Sequence, residues 1–364
     1  MYIYELPDWP NFHWDAAQLE ELLASTRYLQ GQLNGQLSNL GFYQKTETTL
    51  LNLTADVIKT SEIEDLFLNP DQVRSSVAKR LGIDAGGLRP LDREQEGIVD
   101  LMLDATQNFA QPLTLKRLTD WHSALFPAGK PGIQVGVLRD DLQGPMQVVS
   151  GGLGKENIHF QAPPANTLND QLNLFLTWFE TDTQVDPLIR SGIAHLWFVT
   201  IHPFDDGNGR IARAIADLVL ARAEQSPHRF YSLSSQIRQD RQAYYRILEL
   251  SQRSDTDLTA WLTWYLSTVK SALSRAQESI AATLQRAHLW ESVQGLSLNP
   301  RQKLILTKLL ENFQGHLTSS KYAKLAKCSQ DTAHRDIQQL LQPGVLVQNP
   351  GGGRNTSYSL QVQT

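Results

Sequence analysis

The sequence predicts a mainly α-helical protein with one β-hairpin in its body and a winged helix-turn-helix at its C-terminal end. Three observations predict this class. Apolar residues recur at i, i+3 and i+4 over most of the chain, the pattern of helices with one buried face. Within the body, strand-like composition is confined to residues 131–164, where Gly, Pro and β-branched residues replace the helical pattern. Beyond a linker at 292–300, three short helical patterns and two extended runs follow in the order of a winged helix.

Residues 1–85 are expected as an N-terminal helical domain. Leu19, Leu22 and Leu23 open a helical pattern that continues through Tyr28, Leu29, Leu33, Leu37 and Leu40. Further helices are expected over 48–59, 62–67 and 71–81. Asn69 and Pro70 supply the cap and first-turn proline of the last, and Gly82 its stop. The core domain, 86–290, opens with helices between 92 and 126 that bury Trp121, Leu125 and Phe126. Strands are expected at 133–138 and 146–149, with 158–160 as a third candidate. Helices then resume at 167–180, 187–201, 210–223, 238–250 and 258–287. The last domain, 298–364, carries helices over 300–313, 319–325 and 329–341, then a wing of 345–348 and 358–360 around the turn NPGGGRNTS.

Composition narrows the classes of function. With 41% hydrophobic and 20% charged residues the chain reads as soluble and globular. Its most apolar stretch, 191–204, is too short to span a bilayer, and the N-terminus lacks a basic segment followed by an apolar run, so a cytoplasmic protein with no membrane partner is expected. The single Cys328 excludes an intramolecular disulfide and cannot anchor zinc alone. No fixed-period repeat is present. The net charge of −5 is uneven: from Asn299 onward there are eight basic and three acidic residues, against 25 and 35 before it. A basic tail on an acidic body points to separate tasks.

The chemistry concentrates in HPFDDGNGRIAR, residues 202–213. Pro203 disfavours the helical conformation at His202, so the histidine should end the preceding helix and stand at the mouth of a loop. The glycines of Asp206-Gly207-Asn208-Gly209 let the backbone approach a ligand closely. Arg210 opens the next helix, whose free N–H groups favour an anion, and Arg213 follows one turn later on the same side. The combination suits a polyphosphate: loop amides form an anion nest, the arginines neutralise outer phosphates, and Asp206 could share Mg²⁺ with them. A histidine with an ordinary pKa near 6.5 could take the proton of an incoming hydroxyl.

This stretch resembles the signature of the Fic family, HPFx[D/E]GN[G/K]RxxR, with every defining position matched. The resemblance covers roughly 86–275 and extends to both flanks, where MYIYELPDWPNFHWD is similar to an N-terminal helical domain of bacterial relatives. It implies a Fic-type helical core and transfer of AMP from ATP to a Ser, Thr or Tyr hydroxyl of a target protein. His202 would be the base and Phe204 the anchor of the loop. Asp206 would bind Mg²⁺; Gly207, Asn208, Gly209 and Arg210 would hold the α- and β-phosphates, and Arg213 the γ-phosphate. Asp205 falls on the variable position and receives no role.

Further roles follow from the same resemblance. KTSEIEDLFLNPDQVRSS, from Lys59, is similar to the inhibitory helix [S/T]xxxE[G/N], expected at about 60–67. Thr60 and Glu64 match, while Asp65 departs from the usual Gly or Asn. Glu64 would pair with Arg213 and occupy the γ-phosphate site, and a homodimer could form through the exposed surface nearby. The strand region would be a flap that docks the target as an added strand, with Val149, Ser150 and Gly151 near the nucleotide. Tyr244 and Tyr245 would lie on the adenine side, at most one of them stacking, and Gln252 would make a polar adenine contact. His195 is expected as a core residue, and His159 has no assigned role. In the tail, Gln330, Asp331, His334 and Arg335 would face outward from a recognition helix. Lys321, Lys324, Lys327 and Arg354 would reach phosphates if the partner is DNA; a protein partner is the alternative. Two other functions compete: removal of AMP by the same site, and a DNA-binding regulator with a nucleotide-sensing core.

Overall fold

The computed structural model describes residues 1–38, 42–83, 92–151, 157–293, 295–310, 313, 315–350 and 356–361. In chain order the elements are α1 (Ala16–Ser38), α2 (Phe42–Ile63), α3 (Pro70–Arg80), α4 (Arg93–Gln107), α5 (Leu115–Leu125), β1 (Gln147–Ser150), β2 (Asn157–Gln161), α6 (Leu168–Thr181), α7 (Pro187–Ile201), α8 (Asn208–Glu224), α9 (Leu233–Gln239), α10 (Arg241–Gln252), α11 (Thr259–Ser292), α12 (Pro300–Leu310), α13 (Ser319–Leu325), α14 (Gln330–Leu341), β3 (Leu346–Gln348) and β4 (Tyr358–Leu360). The chain divides into two compact units, Met1–Ala276 and Gln277–Thr364.

The frame of the first unit is the pair α7 and α8, packed against each other. α7 reads PLIRSGIAHLWFVTI, apolar on every side, and is buried from Leu188 to Ile201 except at Arg190. A helix without a polar face belongs in a core. Gly192 permits the close approach of α11: a Cβ there would stand 2.9 Å from the Tyr265 ring, and Trp261 Nε1 donates to Gly192 O at 2.9 Å. α8 is buried from Arg210 to Ala221. Residues 202–207 join the two helices, so the charged loop starts and ends on rigid elements.

α2 packs on α4, α8 and α9, and buries Asp56 and Thr60 against them. The helix expected at 62–67 is absent. α2 runs on to Ile63 and ends in a tight turn, with Leu66 N bonded to Ser61 O at 3.0 Å and Asp65 at φ +57. Leu66 and Phe67 are 38% and 70% exposed, so no buried face holds a further helical turn. The 133–138 strand is also overturned. Gly132 and Gly136 have φ of +78 and +73, and the segment's donors go to loop groups: Gln134 N to Asp205 Oδ2 and Gly136 N to His122 Nδ1. The hairpin is formed by the other two runs, β1 and β2, antiparallel with an irregularity between Val148 and Val149. Asp240 splits the expected 238–250 helix into α9 and α10, its side chain capping Ala243 N at 3.3 Å.

The second unit has its own core, including Ile305, Leu306, Tyr322, Ile337, Leu340, Leu346 and Tyr358. Buried Asp336 ties its three helices together, accepting a fork from Arg301 (2.8 and 3.1 Å) and the Tyr322 hydroxyl at 3.1 Å. β3 and β4 pair antiparallel, Leu346 opposite Leu360. Gln330, Asp331, His334 and Arg335 lie exposed on α14, and Lys321, Lys324 and Lys327 are exposed beside it. Leu40, Arg354 and the wing tip 351–355 lie outside the described residues. Among the described residues, no helix is long and apolar enough to cross a membrane.

Candidate active site

His202 caps α7 in the left-handed conformation (φ 50, ψ 59), its N–H bonded to Phe198 O at 3.1 Å. Its Nδ1 lies 3.1 Å from Val199 O. A carbonyl only accepts, so Nδ1 carries the proton and Nε2 is left with a lone pair. Burial pushes the imidazole pKa down to about 4, and the Arg139 charge adds to this. The ring is therefore a neutral base at pH 7.

The loop that follows is held from inside. Phe204 is fully buried and stacks on His122, with centroids 4.3 Å apart. Asn208 Oδ1 accepts from Phe204 N (3.1 Å) and its Nδ2 donates to Phe204 O (2.6 Å). Both side-chain groups of Asn208 are thus used within the loop, and its backbone N–H is the group left to face an anion. Asp205 gains a function, since its carboxylate accepts from Gln134 N at 2.8 Å and pins the 131–138 segment. Gly207 adopts φ +81, where a side chain would also press on Leu125 at 3.0 Å.

At the N-terminus of α8 the charges converge. Arg213 is 1% exposed and donates from Nε to Thr60 Oγ1 (2.7 Å), and from Nη2 to Thr60 O (3.1 Å) and Glu64 Oε1 (2.7 Å). Among the described residues, its Nη1 and the buried Nε of Arg210 have no hydrogen-bond partner. A Cβ on Gly209 would stand 2.5 Å from Glu64 Oε1, so the carboxylate rests against the backbone that opens the helix. Burial works against the Arg213 charge, but Glu64, with Tyr244 and Tyr245, more than offsets it and raises the pKa. Asp206 accepts from Lys130 Nζ at 2.7 Å and from Gly207 N at 2.6 Å. Against the effect of burial, Lys130, Arg210 and that N–H hold its carboxyl below the usual range.

These features are those of a phosphate-binding loop with an adjacent base, and comparison with known proteins gives them a family. Residues 2–83 match a domain of unknown function (DUF4172). Within residues 112–220 the chain matches a Fic/DOC domain. It is 40% identical over 60 residues to the protein adenylyltransferase fic-1 of Caenorhabditis elegans, covering 16% of this chain and 12% of that one. It is 31% identical over 121 residues to a uridine 5′-monophosphate transferase of Xanthomonas campestris, covering 30% and 21%. The chain thus spans only a small part of the length of these curated relatives. The fold is that of a solved Fic family protein from Desulfovibrio desulfuricans, with a TM-score of 0.55 at 19% identity over 97% of this chain and 98% of that one.

The Fic domain places the remaining expected residues unevenly. Val149 is 48% exposed on β1, next to Ser150 and Gly151. Of the tyrosine pair, Tyr244 is the one that packs and hydrogen-bonds: it is 1% exposed, with its hydroxyl 2.9 Å from His195 Nε2. Gln252 is likewise turned inward, donating to Thr200 Oγ1 of α7 at 3.2 Å. Tyr245 remains partly open and donates to Ile63 O at 3.1 Å. His195 is a core residue, whose pKa burial pushes down to about 3.

Several site residues carry no signal in the sequence. Buried Arg139 donates from Nε to His202 O (2.7 Å) and from Nη2 to Pro163 O (2.5 Å), while its own N–H bonds Pro203 O at 3.0 Å. It stands in GVLR, where only a strand pattern was legible. α10 holds two neighbours. Near its start Arg241 forks onto Asp65 (2.5 and 2.7 Å); near its end Glu249 bonds His159 Nδ1 at 2.8 Å, and Arg253, just beyond, grips Ile158 O at 2.7 Å.

Proposed function

We propose that this Fic domain transfers AMP from ATP to a Ser, Thr or Tyr hydroxyl of a target protein and of its own chain, and that Glu64 restrains it. The observation that carries this reading is the anion site at the start of α8, where a carboxylate of the chain already sits on Arg213. Buried guanidinium N–H groups without partners favour an anionic ligand with more acceptor oxygens than one carboxylate offers. A triphosphate supplies them, and Glu64 competes with its outer phosphate for Arg213.

In this reading His202 Nε2 takes the proton of the target hydroxyl as its oxygen attacks the α-phosphorus in line, and pyrophosphate leaves. The backbone N–H groups of 207–209 and the α8 N-terminus hold the phosphates. Asp206 fits as a Mg²⁺ ligand: one half-exposed carboxylate at the loop mouth, completed by phosphate oxygens, is an ordinary donor set for that ion. Bound there in place of the Lys130 contact, Mg²⁺ would neutralise phosphate charge. The name of the C. elegans relative supports adenylyl transfer. The Xanthomonas relative supports a second reading, UMP transfer, because neither Tyr244 nor Gln252 is free to select adenine.

Incubation of the full chain with Mg²⁺ and α-labelled ATP or UTP tests the proposal. Glu64→Gly should raise self-labelling by roughly tenfold or more, the factor that about 1.4 kcal/mol of lost competition supplies. Adding His202→Ala to that variant should abolish it. Label persisting in the double variant would overturn the base role. Binding of ATP without label in any variant would favour a nucleotide-sensing regulator, and release of AMP from labelled protein only when Glu64 is present would favour removal.

A further inference from the structure

The hairpin carries a second constellation, separate from the proton transfer assigned to His202. Ser150 Oγ lies 2.6 Å from His159 Nε2, and His159 Nδ1 lies 2.8 Å from Glu249 Oε2. The irregularity in the ladder creates this arrangement. Val149 faces Ile158 and Val148 faces Phe160, so His159 is the extra residue of a bulge and its ring reaches Ser150 on the neighbouring strand. Bulges re-aim side chains in this way. Glu249 comes from α10 and is steadied by Arg253, whose Nη2 is 3.5 Å from Glu249 Oε1 and also holds the carbonyls of Ile158 and His159.

With the His159 ring neutral, the hydrogen-bond directions follow from the chemistry of its partners. An ionised carboxylate only accepts, so His159 Nδ1 donates to Glu249 and Nε2 presents its lone pair. The serine hydroxyl must then donate to Nε2, leaving Oγ, which is exposed, to face solvent. A hydroxyl directed onto an imidazole that is oriented by a carboxylate is the arrangement of an activated nucleophile.

We propose that Ser150, His159 and Glu249 form a second, nucleotide-independent nucleophilic centre acting on small activated carboxylic esters. Ser150 Oγ attacks the ester carbonyl carbon while its proton passes to His159 Nε2. The tetrahedral species collapses, the C–O bond to the alcohol breaks, and the leaving oxygen takes the proton from Nε2. Water, deprotonated by the same nitrogen, then releases the carboxylic acid and restores Ser150. A good leaving group is required because Ser150 lies on an open strand.

The test uses the full chain, a fluorophosphonate probe with peptide mapping, and hydrolysis of p-nitrophenyl acetate. Wild type should take one label, on Ser150, and Ser150→Ala should lose it while keeping the wild-type melting temperature, since the side chain is exposed. His159→Ala should slow labelling and hydrolysis about 100-fold, the low end of what a positioned base supplies, and Glu249→Gln should slow them about tenfold. Equal labelling of wild type and Ser150→Ala, or rates unchanged in His159→Ala, would overturn the proposal and leave the contact as a tie between hairpin and α10.

Discussion

His202 occupies a backbone conformation that a non-glycine residue adopts only when its surroundings enforce it. Arg139 is a large part of that enforcement, gripping the His202 and Pro203 carbonyls together. Arg139→Met should therefore lower kcat for the proposed adenylyl transfer by about 100-fold, as expected for a displaced reacting group, with KM for ATP nearly unchanged. Steady-state kinetics in a Glu64→Gly background would check this. The pH dependence follows from the same pair. With its pKa down at about 4, His202 is unprotonated through neutral pH, so the rate should be flat from pH 8 to 6 and fall only on the acid side. Loss of the Arg139 charge removes one cause of that depression, so in Arg139→Met the acid limb should move to higher pH. At this scale the sequence was most legible where the chemistry is contiguous, from 202 to 213. It was silent on Arg139, 63 residues from its partner, because a tertiary pair has no fixed spacing to recognise. Asn208 is the reverse case: the sequence placed it in the right loop, but the direction of its amide depends on Phe204.

Among the elements, the end of α2 decides where Glu64 stands. Its last turn needs a residue at positive φ, and Asp65 supplies it at +57. Gly and Asn do so most easily, and Asp is among the few other residues that tolerate it, so its departure from the family pattern preserves the geometry. Asp65 adds a contact that Gly could not, the fork to Arg241. Arg241→Ala should raise self-labelling by a few-fold, less than Glu64→Gly, because the pair is exposed and Tyr245 still holds Ile63 O. Asp65→Gly should behave the same way, by the same labelling assay. The turn was not legible as such because Glu62, Ile63, Leu66 and Phe67 continue a helical pattern; exposure of the last two ends it. The 133–138 segment failed for a related reason, since its alternating residues look like a strand while its N–H groups bond Asp205 and His122.

For the molecule as a whole, a buried ion pair joins α8 to the segment before α9: Arg229 and Asp217 are each fully buried and 2.6 Å apart. Arg229→Met alone leaves a buried carboxylate unpaired and should cost about 3–5 kcal/mol in denaturant melts. Replacing both, as in R229M/D217L, should recover only part of that loss, because Glu224 and Asp56 lose the same cation. Asp56 of α2 lies in the same charged pocket, with burial and Asp217 pushing its carboxyl up. No periodic pattern marks such a cluster. α10 has a comparable reach. Its first turn grips the turn that presents Glu64, and its last turn, with Arg253, grips the hairpin. By thermodynamic reciprocity, any coupling that α10 carries between a protein docked on the hairpin and an anion at Arg213 would change both affinities by the same factor. Choice of target and release of restraint would then be a single equilibrium read at two ends of one helix.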